Sequence, residues 1–203
     1  MGGSTKMVEL EHQHRDRLIT LFTSAFSQYP LFEILLAHSE DRSGTEIRDI
    51  ITFWVDIYLS NGYQLIGCII DNMLIAGAMI TPPDAEFDTK GIEELSKRLI
   101  DQIGQDMFVR LEDFENATES GLPLKTHHNL GILAVDPEFQ RRGIGRLLIE
   151  HVSTEAALHA TSSGVCLTTE ALENVGYYQS LGFTTITQVT VHGIESWGMR
   201  LDL

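Results

Sequence analysis

The stretch that decides the fold runs from Leu130 to Ile149 and reads LGILAVDPEFQRRGIGRLLI. Its first six residues are apolar or small and predict a buried β-strand. Asp136-Pro137 ends that strand, because Asp and Pro favour a turn and Pro cannot donate to a sheet ladder. From Gly143 onward, apolar residues recur at helical spacing and predict a long helix to about residue 160. The segment is therefore predicted to form a strand, a turn and a helix.

The turn before this helix has the features of an anion-binding loop. It reads QRRGIGR from Gln140 to Arg146. Free backbone N–H groups point out of a helix N-terminus, and the helix dipole favours negative charge there. The two glycines let the backbone close around an anion without side-chain clashes. Three arginines add positive charge, so we predict a pyrophosphate-binding turn built mainly from main chain.

Two familiar phosphate-binding loops fit this turn poorly. A Walker loop needs Gly-Lys-Ser/Thr, and neither lysine nor a hydroxyl residue follows Gly145. A dinucleotide fingerprint needs three glycines and an acidic residue after the next strand, whereas here a Gln-Arg pair precedes only two glycines. A dinucleotide-dependent oxidoreductase is therefore disfavoured.

The run from Val135 to Leu148 resembles the acetyl-CoA pyrophosphate motif of the GNAT acetyltransferases. A second stretch, NVGYYQSLGF from Asn174 to Phe183, resembles the later family motif of a tyrosine followed by Leu-Gly-Phe. Weaker likeness to the first helix and second strand of the family lies in residues 25–31 and 76–83. The resemblance spans most of the chain and is sharpest over residues 127–183. It implies a GNAT-like acyl-CoA N-acyltransferase fold, acetyl-CoA as cosubstrate and transfer of an acetyl group to an amine.

The remaining pattern predicts one α/β domain over residues 1–203, a mixed sheet flanked by helices (α+β in its arrangement). Helices are predicted over residues 9–27, 45–59, 92–114, 143–160 and 174–181, with Gly104 as a break in the third. Strands are predicted over residues 63–70, 74–80, 127–135, 165–169, 183–191 and 194–201. Tyr29-Pro30 is expected to end the first helix, and residues 116–125 to form a loop. The strands at 130–135 and 165–169 should be parallel neighbours joined by a right-handed crossover.

The amino-acid composition restricts which molecules the protein is expected to bind. The chain has 14 Lys and Arg against 29 Asp and Glu, a net charge of −15, so it should repel nucleic acid. The acidity either attracts cationic amines or only keeps the protein soluble. Cys68 and Cys166 lie in apolar runs and favour buried free thiols in a reducing compartment. With neither a membrane-length apolar stretch nor a signal peptide, a cytoplasmic protein without a membrane partner is expected, as a monomer or homodimer.

Direct acyl transfer needs an oxyanion donor, an acid for the leaving sulfur and a route for the amine proton. By resemblance, backbone N–H groups of Leu133, Ala134 and Val135 bind the cofactor arm and the thioester oxygen; an ordinary central strand is the alternative. By resemblance, Tyr178 occupies the position of the family's acid; a core aromatic on a short helix is the alternative. A phenol is protonated at neutral pH and can donate to a thiolate, whereas Tyr177 is expected to be a core residue.

The base and the remaining contacts are more open. Asn174 is either a helix cap or a contact to the cofactor arm. Glu170 follows a predicted strand and is the candidate base, with His127, His128 or water as alternatives. No spacing of ligands indicates a metal site. The alternative function is an inactive GNAT-fold module that senses acyl-CoA. The predicted cofactor-binding residues are Leu133, Ala134, Val135, Gln140, Arg141, Arg142, Gly143, Ile144, Gly145, Arg146, Asn174 and Tyr178.

Overall fold

The computed structural model describes residues 5–37 and 45–203. In chain order the helices are α1 Arg15–Ala25, α2 Pro30–Leu36, α3 Glu46–Asn61, α4 Thr89–Ile103, α5 Gln105–Glu119, α6 Ile144–Leu158 and α7 Leu172–Ser180. The strands are β1 Lys6–Glu9, β2 Gln64–Ile70, β3 Met73–Thr81, β4 His128–Val135, β5 Gly164–Thr169, β6 Thr184–Val191 and β7 Ile194–Asp202. Short 3₁₀ turns precede α1 and follow β4.

The seven strands form one mixed sheet in the order β1-β2-β3-β4-β5-β7-β6. All neighbours are antiparallel except β4 and β5, which are parallel and are joined through α6. This confirms the predicted strand–helix–strand unit. The β2–β3 hairpin turns at Asp71 and Asn72, both with positive φ, as two-residue hairpin turns require.

The central strands separate after a short contact. β4 and β5 pair only at His128–Val165 and Asn129–Cys166. On its other side β4 pairs with β3 through a register shift, from Ile80–Leu130 to Met79–Ile132, which leaves Gly131 as the extra residue of a β-bulge. The bulge reverses the alternation, so that Leu130 and Ile132 pack into different cores. The fold therefore has an opening in the middle of its sheet.

The helices cover both faces of the sheet. One core lies under α1 to α5 and contains the fully buried Phe22 and Leu18. The other lies under α6 and α7 and contains Leu148 and Val152. Each such large apolar side chain contributes roughly 1.5–3 kcal/mol on burial. The two buried cores therefore fix the positions of the strands on either side of the opening.

Three predicted boundaries were wrong. The first helix was predicted to begin at residue 9, but residues 6–9 pair with β2 as an edge strand, and α1 begins only at Arg15. The region after Tyr29 was expected to be a loop, but Pro30 starts α2, where its missing N–H costs nothing. The loop expected at 116–125 begins later, because α5 continues to Glu119. The break at Gly104 is confirmed: its φ of 83° separates α4 from α5.

Candidate active site

The turn before α6 has the backbone geometry that its glycines allow. Gly143 adopts φ 79° and accepts the first helical hydrogen bond, from the N–H of Leu147. A Cβ at Gly143 would meet no atom within 4 Å, so this position faces open space. A Cβ at Gly145 would lie 3.2 Å from the Tyr177 hydroxyl and 3.6 Å from Leu133. Gly143 is thus needed for its backbone angle, and Gly145 for close packing against β4 and α7.

Several polar side chains of this turn make hydrogen bonds or ion pairs within the protein. Gln140 donates from Nε2 to the Val135 carbonyl, 3.1 Å away, which ties the turn to the end of β4. Arg142 donates to the Glu138 carbonyl at 2.9 Å and lies over the Phe139 ring. Arg146 pairs with Glu150 one helical turn later. All three predicted arginines are exposed, so positive charge surrounds a helix N-terminus whose N–H groups point outward.

A cleft of about 600 Å³ enters the opening between β4 and β5. Its floor is the bulged part of β4, from Leu130 to Leu133. Eight of the sixteen aromatic residues of the chain line it, so it is largely apolar and suits an organic ligand. These are Phe26, Tyr29, Phe32, Trp54, Tyr58, Phe87, Phe114 and Tyr178.

Tyr178 lines this cleft from α7. Only 8% of it is exposed, and burial raises the pKa of its hydroxyl above the ordinary value. Within the described part of the chain its hydroxyl has no hydrogen-bond partner, so its proton is available to a ligand. Tyr177 was expected to be a core residue, but it is 38% exposed and its hydroxyl lies beside Gly145. The helical rotation between neighbours points the two rings to different surroundings.

Glu170 follows β5 and also lines the cleft. Its carboxylate accepts a 2.7 Å hydrogen bond from the Ser196 hydroxyl. Burial raises the pKa of Glu170, against the lowering effect of that hydrogen bond and of Tyr29. A carboxylate with a raised pKa is a better proton acceptor than an exposed one.

Tyr29 organises the end of β5. Its hydroxyl accepts from the Glu170 backbone N–H at 2.9 Å and lies 3.0 Å from the Thr169 hydroxyl. The Asn174 side chain donates to the same Thr169 hydroxyl at 3.2 Å. Asn174 is the third residue of α7 and therefore not its N-cap. Its side chain is hydrogen-bonded, and the residue lines the cleft. The network orients both Glu170 and Asn174.

The two histidines lie elsewhere. His127 is buried and bonds to Asp202 and Thr126, and His128 bonds to Ser162. Neither is among the residues that line the cleft. Both ring nitrogens of His127 and Nδ1 of His128 are bonded within the protein, which fits a structural role. Among residues 5–37 and 45–203, no three His, Cys, Asp or Glu side chains are grouped so as to hold a metal ion.

Sequence reasoning missed several cleft residues. Tyr29 precedes α2, and Trp54, Tyr58, Glu115 and Glu119 come from α3 and α5; these sequences carry no motif. The only sequence signal was the apolar stripe of α3, to which Trp54 and Tyr58 belong. The carboxylates of α5 were assigned in part to a loop, so their common helix face could not be recognised.

Comparison with known proteins agrees with this geometry. Residues 76–203 match the family described as "Acetyltransferase (GNAT) domain". A bulged β4, a separated β5 and a glycine turn before α6 all fall within that match. The chain belongs to the GNAT acetyltransferase family, and membership implies acyltransferase activity.

Individual relatives are more distant. The [ribosomal protein bS18]-alanine N-acetyltransferase of Salmonella typhimurium is 42% identical over 59 residues, which are 27% of this chain and 38% of that protein. A histone acetyltransferase-related protein of Corynebacterium glutamicum superposes with a TM-score of 0.73 at 15% identity, over 98% of this chain and 97% of its own. The polyamine N-acetyltransferase of Drosophila melanogaster gives a TM-score of 0.64 at 14% identity, over 98% and 100%. At such identity these structures show a shared fold.

Proposed function

We propose that the protein transfers an acetyl group from acetyl-CoA to a primary amine of a small molecule or peptide, by direct attack of the amine on the thioester. The observation that carries this is the opening between β4 and β5. The α6 turn flanks it through the contact of Gly145 with Leu133, and the cleft with Tyr178 and Glu170 enters it. The cleft with its proton donor and proton acceptor therefore lies beside the predicted anion-binding turn, and Leu133 borders both.

The residues around the opening fit the cosubstrate. The space outside Gly143 is free, the helix N-terminus there offers backbone N–H groups, and exposed arginines surround it. Beyond Asn129 the described residues give β4 no ladder partner on its β5 side, so Leu133, Ala134 and Val135 have an edge open to a ligand. Bound there, acetyl-CoA supplies the acetyl thioester.

The reaction moves two protons, one to the leaving sulfur and one from the amine, and we assign a residue to each. As the amine nitrogen bonds to the carbonyl carbon, the carbon–sulfur bond breaks and the sulfur takes the Tyr178 proton. Glu170, directly or through water, accepts the proton that the amine loses. Backbone N–H groups of β4 stabilise the negative charge on the carbonyl oxygen. Tyr29 and Ser196 position Glu170.

The relatives support an amine acceptor of either kind. The Salmonella protein is described as acting on an alanine of a ribosomal protein, and two structural neighbours as acting on agmatine or polyamines. The net charge of −15 favours any cationic acceptor.

Two measurements test the proposal. Acetyl-CoA at millimolar concentration should raise the melting temperature, because a ligand that binds only the folded state stabilises it, whereas a control nucleotide should not. An amine panel should then release free thiol at a rate that depends on the amine. Binding without release from any amine would favour an acyl-CoA sensor, and the absence of binding would refute both functions.

We also propose a cytoplasmic location. Cys68 and Cys166 are both free and buried, which confirms the predicted state of the thiols and suits a reducing compartment. In the part of the chain that the structure describes, no helix is both long and apolar enough to span a bilayer.

A further inference from the structure

Acidic side chains line the cleft from two elements, the end of β5 and helix α5, which we call its two ends. At one end lies Glu170, with Tyr29 and Tyr178 close enough for the charges to interact. At the other end lie Glu115 and Glu119 of α5. The proposed chemistry uses only the first end, and the second has no part in it.

The second end holds its carboxylate in a fixed orientation. Trp54 donates from Nε1 to Oε1 of Glu115 at 2.7 Å, across the interface between α3 and α5. Glu119 lies one helical turn further along α5, and Tyr58 is near enough for both carboxylates to act on its hydroxyl. Among the described residues, the only other charged side chain that lines the cleft is Lys125, which is exposed, as is Glu119. Within the cleft, negative charge therefore dominates.

The wall between the two ends is a continuous series of aromatic rings. Tyr29 meets Phe26 at 5.0 Å, Phe26 meets Phe32 at 6.3 Å, and Phe32 meets Trp54 at 6.0 Å between ring centroids. Tyr29 touches Glu170 and Trp54 touches Glu115. Such a wall packs against methylene groups and stabilises a nearby cation.

Without a ligand, the two carboxylates at the second end lower the stability of the folded protein. Glu115 and Glu119 are like charges four residues apart, which destabilises a helix. Removal from water is the main reason that the pKa of Glu115 rises to about 7, since the Trp54 hydrogen bond acts in the opposite direction. A cation placed against the two carboxylates would relieve both effects.

We infer that the acceptor is an amine with a second cationic group at the far end of an apolar spacer, and that Glu115, held by Trp54, binds this second group. The inference rests on the proposed function, because it assigns the acceptor of the same cleft. A monoamine of equal length would fill the aromatic wall and the Glu170 end but leave Glu115 uncompensated. Glu115 is then the residue that selects a diamine over a monoamine.

Binding of matched amines tests this without any turnover. Titration calorimetry compares α,ω-diamines, from 1,3-diaminopropane to 1,8-diaminooctane, each with the n-alkylamine of the same length. The best diamine should bind ~10-fold or more tightly than its monoamine, since the monoamine cannot donate a charged hydrogen bond to Glu115. In Glu115→Gln this ratio should fall below ~3, while monoamine affinity stays unchanged. Gln keeps an acceptor for Trp54.

Matched variants separate the outcomes. Glu112 lies on the same helix but is exposed and outside the cleft, so Glu112→Gln should keep the diamine preference. Glu119→Gln should lose part of it, which provides a second test if Glu115→Gln folds poorly. Equal affinity for diamine and monoamine, or a preference that persists in Glu115→Gln, would overturn the inference. A Glu115-dependent preference with no thiol release from any amine would instead refute the proposed transferase and leave the binding site standing.

Discussion

Two adjacent tyrosines of α7 differ in almost every property. Tyr178 is buried among the residues of the second core and faces the cleft, 5.6 Å from the Phe183 ring. Tyr177 is half-exposed and lies beside the α6 turn. Burial raises the pKa of both hydroxyls, so both are protonated at neutral pH. Position alone decides which of them can serve as the acid.

The residue-scale prediction concerns Tyr178→Phe. This change keeps the ring packing and removes only the proton donor, so turnover should fall by ~10²-fold, the usual scale for general acid catalysis. Acetyl-CoA affinity should change little, because the predicted phosphate contacts are main chain. Steady-state thiol release and a binding titration measure the two quantities.

Tyr177→Phe is the control for that experiment and should leave turnover nearly unchanged. Equal losses in both variants would indicate a packing effect. An unchanged rate in Tyr178→Phe would have two explanations. Either the thiolate leaves without a proton donor, or product release limits the rate. A pre-steady-state burst of thiol distinguishes them, and only the first removes Tyr178 from the mechanism.

Among the elements, α6 contributes through its first turn. Arg141 and Gly143 both have positive φ, so the chain doubles back before the helix begins. Gly145 then lets α6 approach β4 and α7 closely. These angles place the helix N-terminus beside the opening, while the apolar face of α6 fills the second core.

The element-scale prediction compares two glycines. Gly143→Leu should lower the melting temperature, because a side chain at φ 79° is strained by roughly 1–2 kcal/mol. It should also abolish the stabilisation by acetyl-CoA, since the side chain would fill the open space before the turn. Gly62→Leu has the same kind of strain, since Gly62 is also left-handed, with φ 67°, ψ 26° and nothing within 4 Å, but it lies at the C-terminal end of α3. It should destabilise the protein yet keep the acetyl-CoA effect. Differential scanning fluorimetry reports both.

At the scale of the whole molecule, burial of carboxylates couples the cleft to stability. Glu170 and Glu115 both have raised pKa values, chiefly because the protein withdraws them from water. The folded state therefore holds protons that the unfolded chain releases. For Glu115, this stabilisation is full below its ordinary value of 4.5 and is lost as the pH rises through about 7.

The raised pKa values predict how the stability of the folded protein changes with pH. The melting temperature of the ligand-free protein should fall between about pH 4.5 and about pH 7, and that of Glu115→Gln should fall less. The variant should thus be more stable than the wild type at pH 8, by a few degrees, since 1 kcal/mol corresponds to ~2–4 °C in a domain of this size. Below about pH 4.5 the two should be nearly equal. Charged groups near Glu115 are Glu112 and Glu119, so Glu112→Gln, with its exposed carboxylate, is the control. A constant difference at all pH values would contradict the raised pKa of Glu115.

The sequence by itself determined the features that depend on neighbouring residues. The glycine turn, the Asp136-Pro137 stop, the periodicity of α6 and the break at Gly104 are local, because backbone angles and helical spacing constrain only nearby positions. The order of strand, helix and strand then restricted the crossover to a parallel pair. Motif spacing was enough to place Tyr178 and Glu170 on successive elements that the structure brings into one cleft.

Only the tertiary structure decided the rest, because it depends on contacts between distant segments. Residues 6–9 form a strand only because β2 offers them an edge. The direction of Tyr177 depends on how α7 packs against α6 and the sheet. Glu115 meets Trp54 across 61 residues, and Tyr29 meets Glu170 across 141. Neither pair has a local pattern, since packing of separate helices against one sheet creates both. The groups proposed to choose the acceptor therefore belong to the fold rather than to any motif.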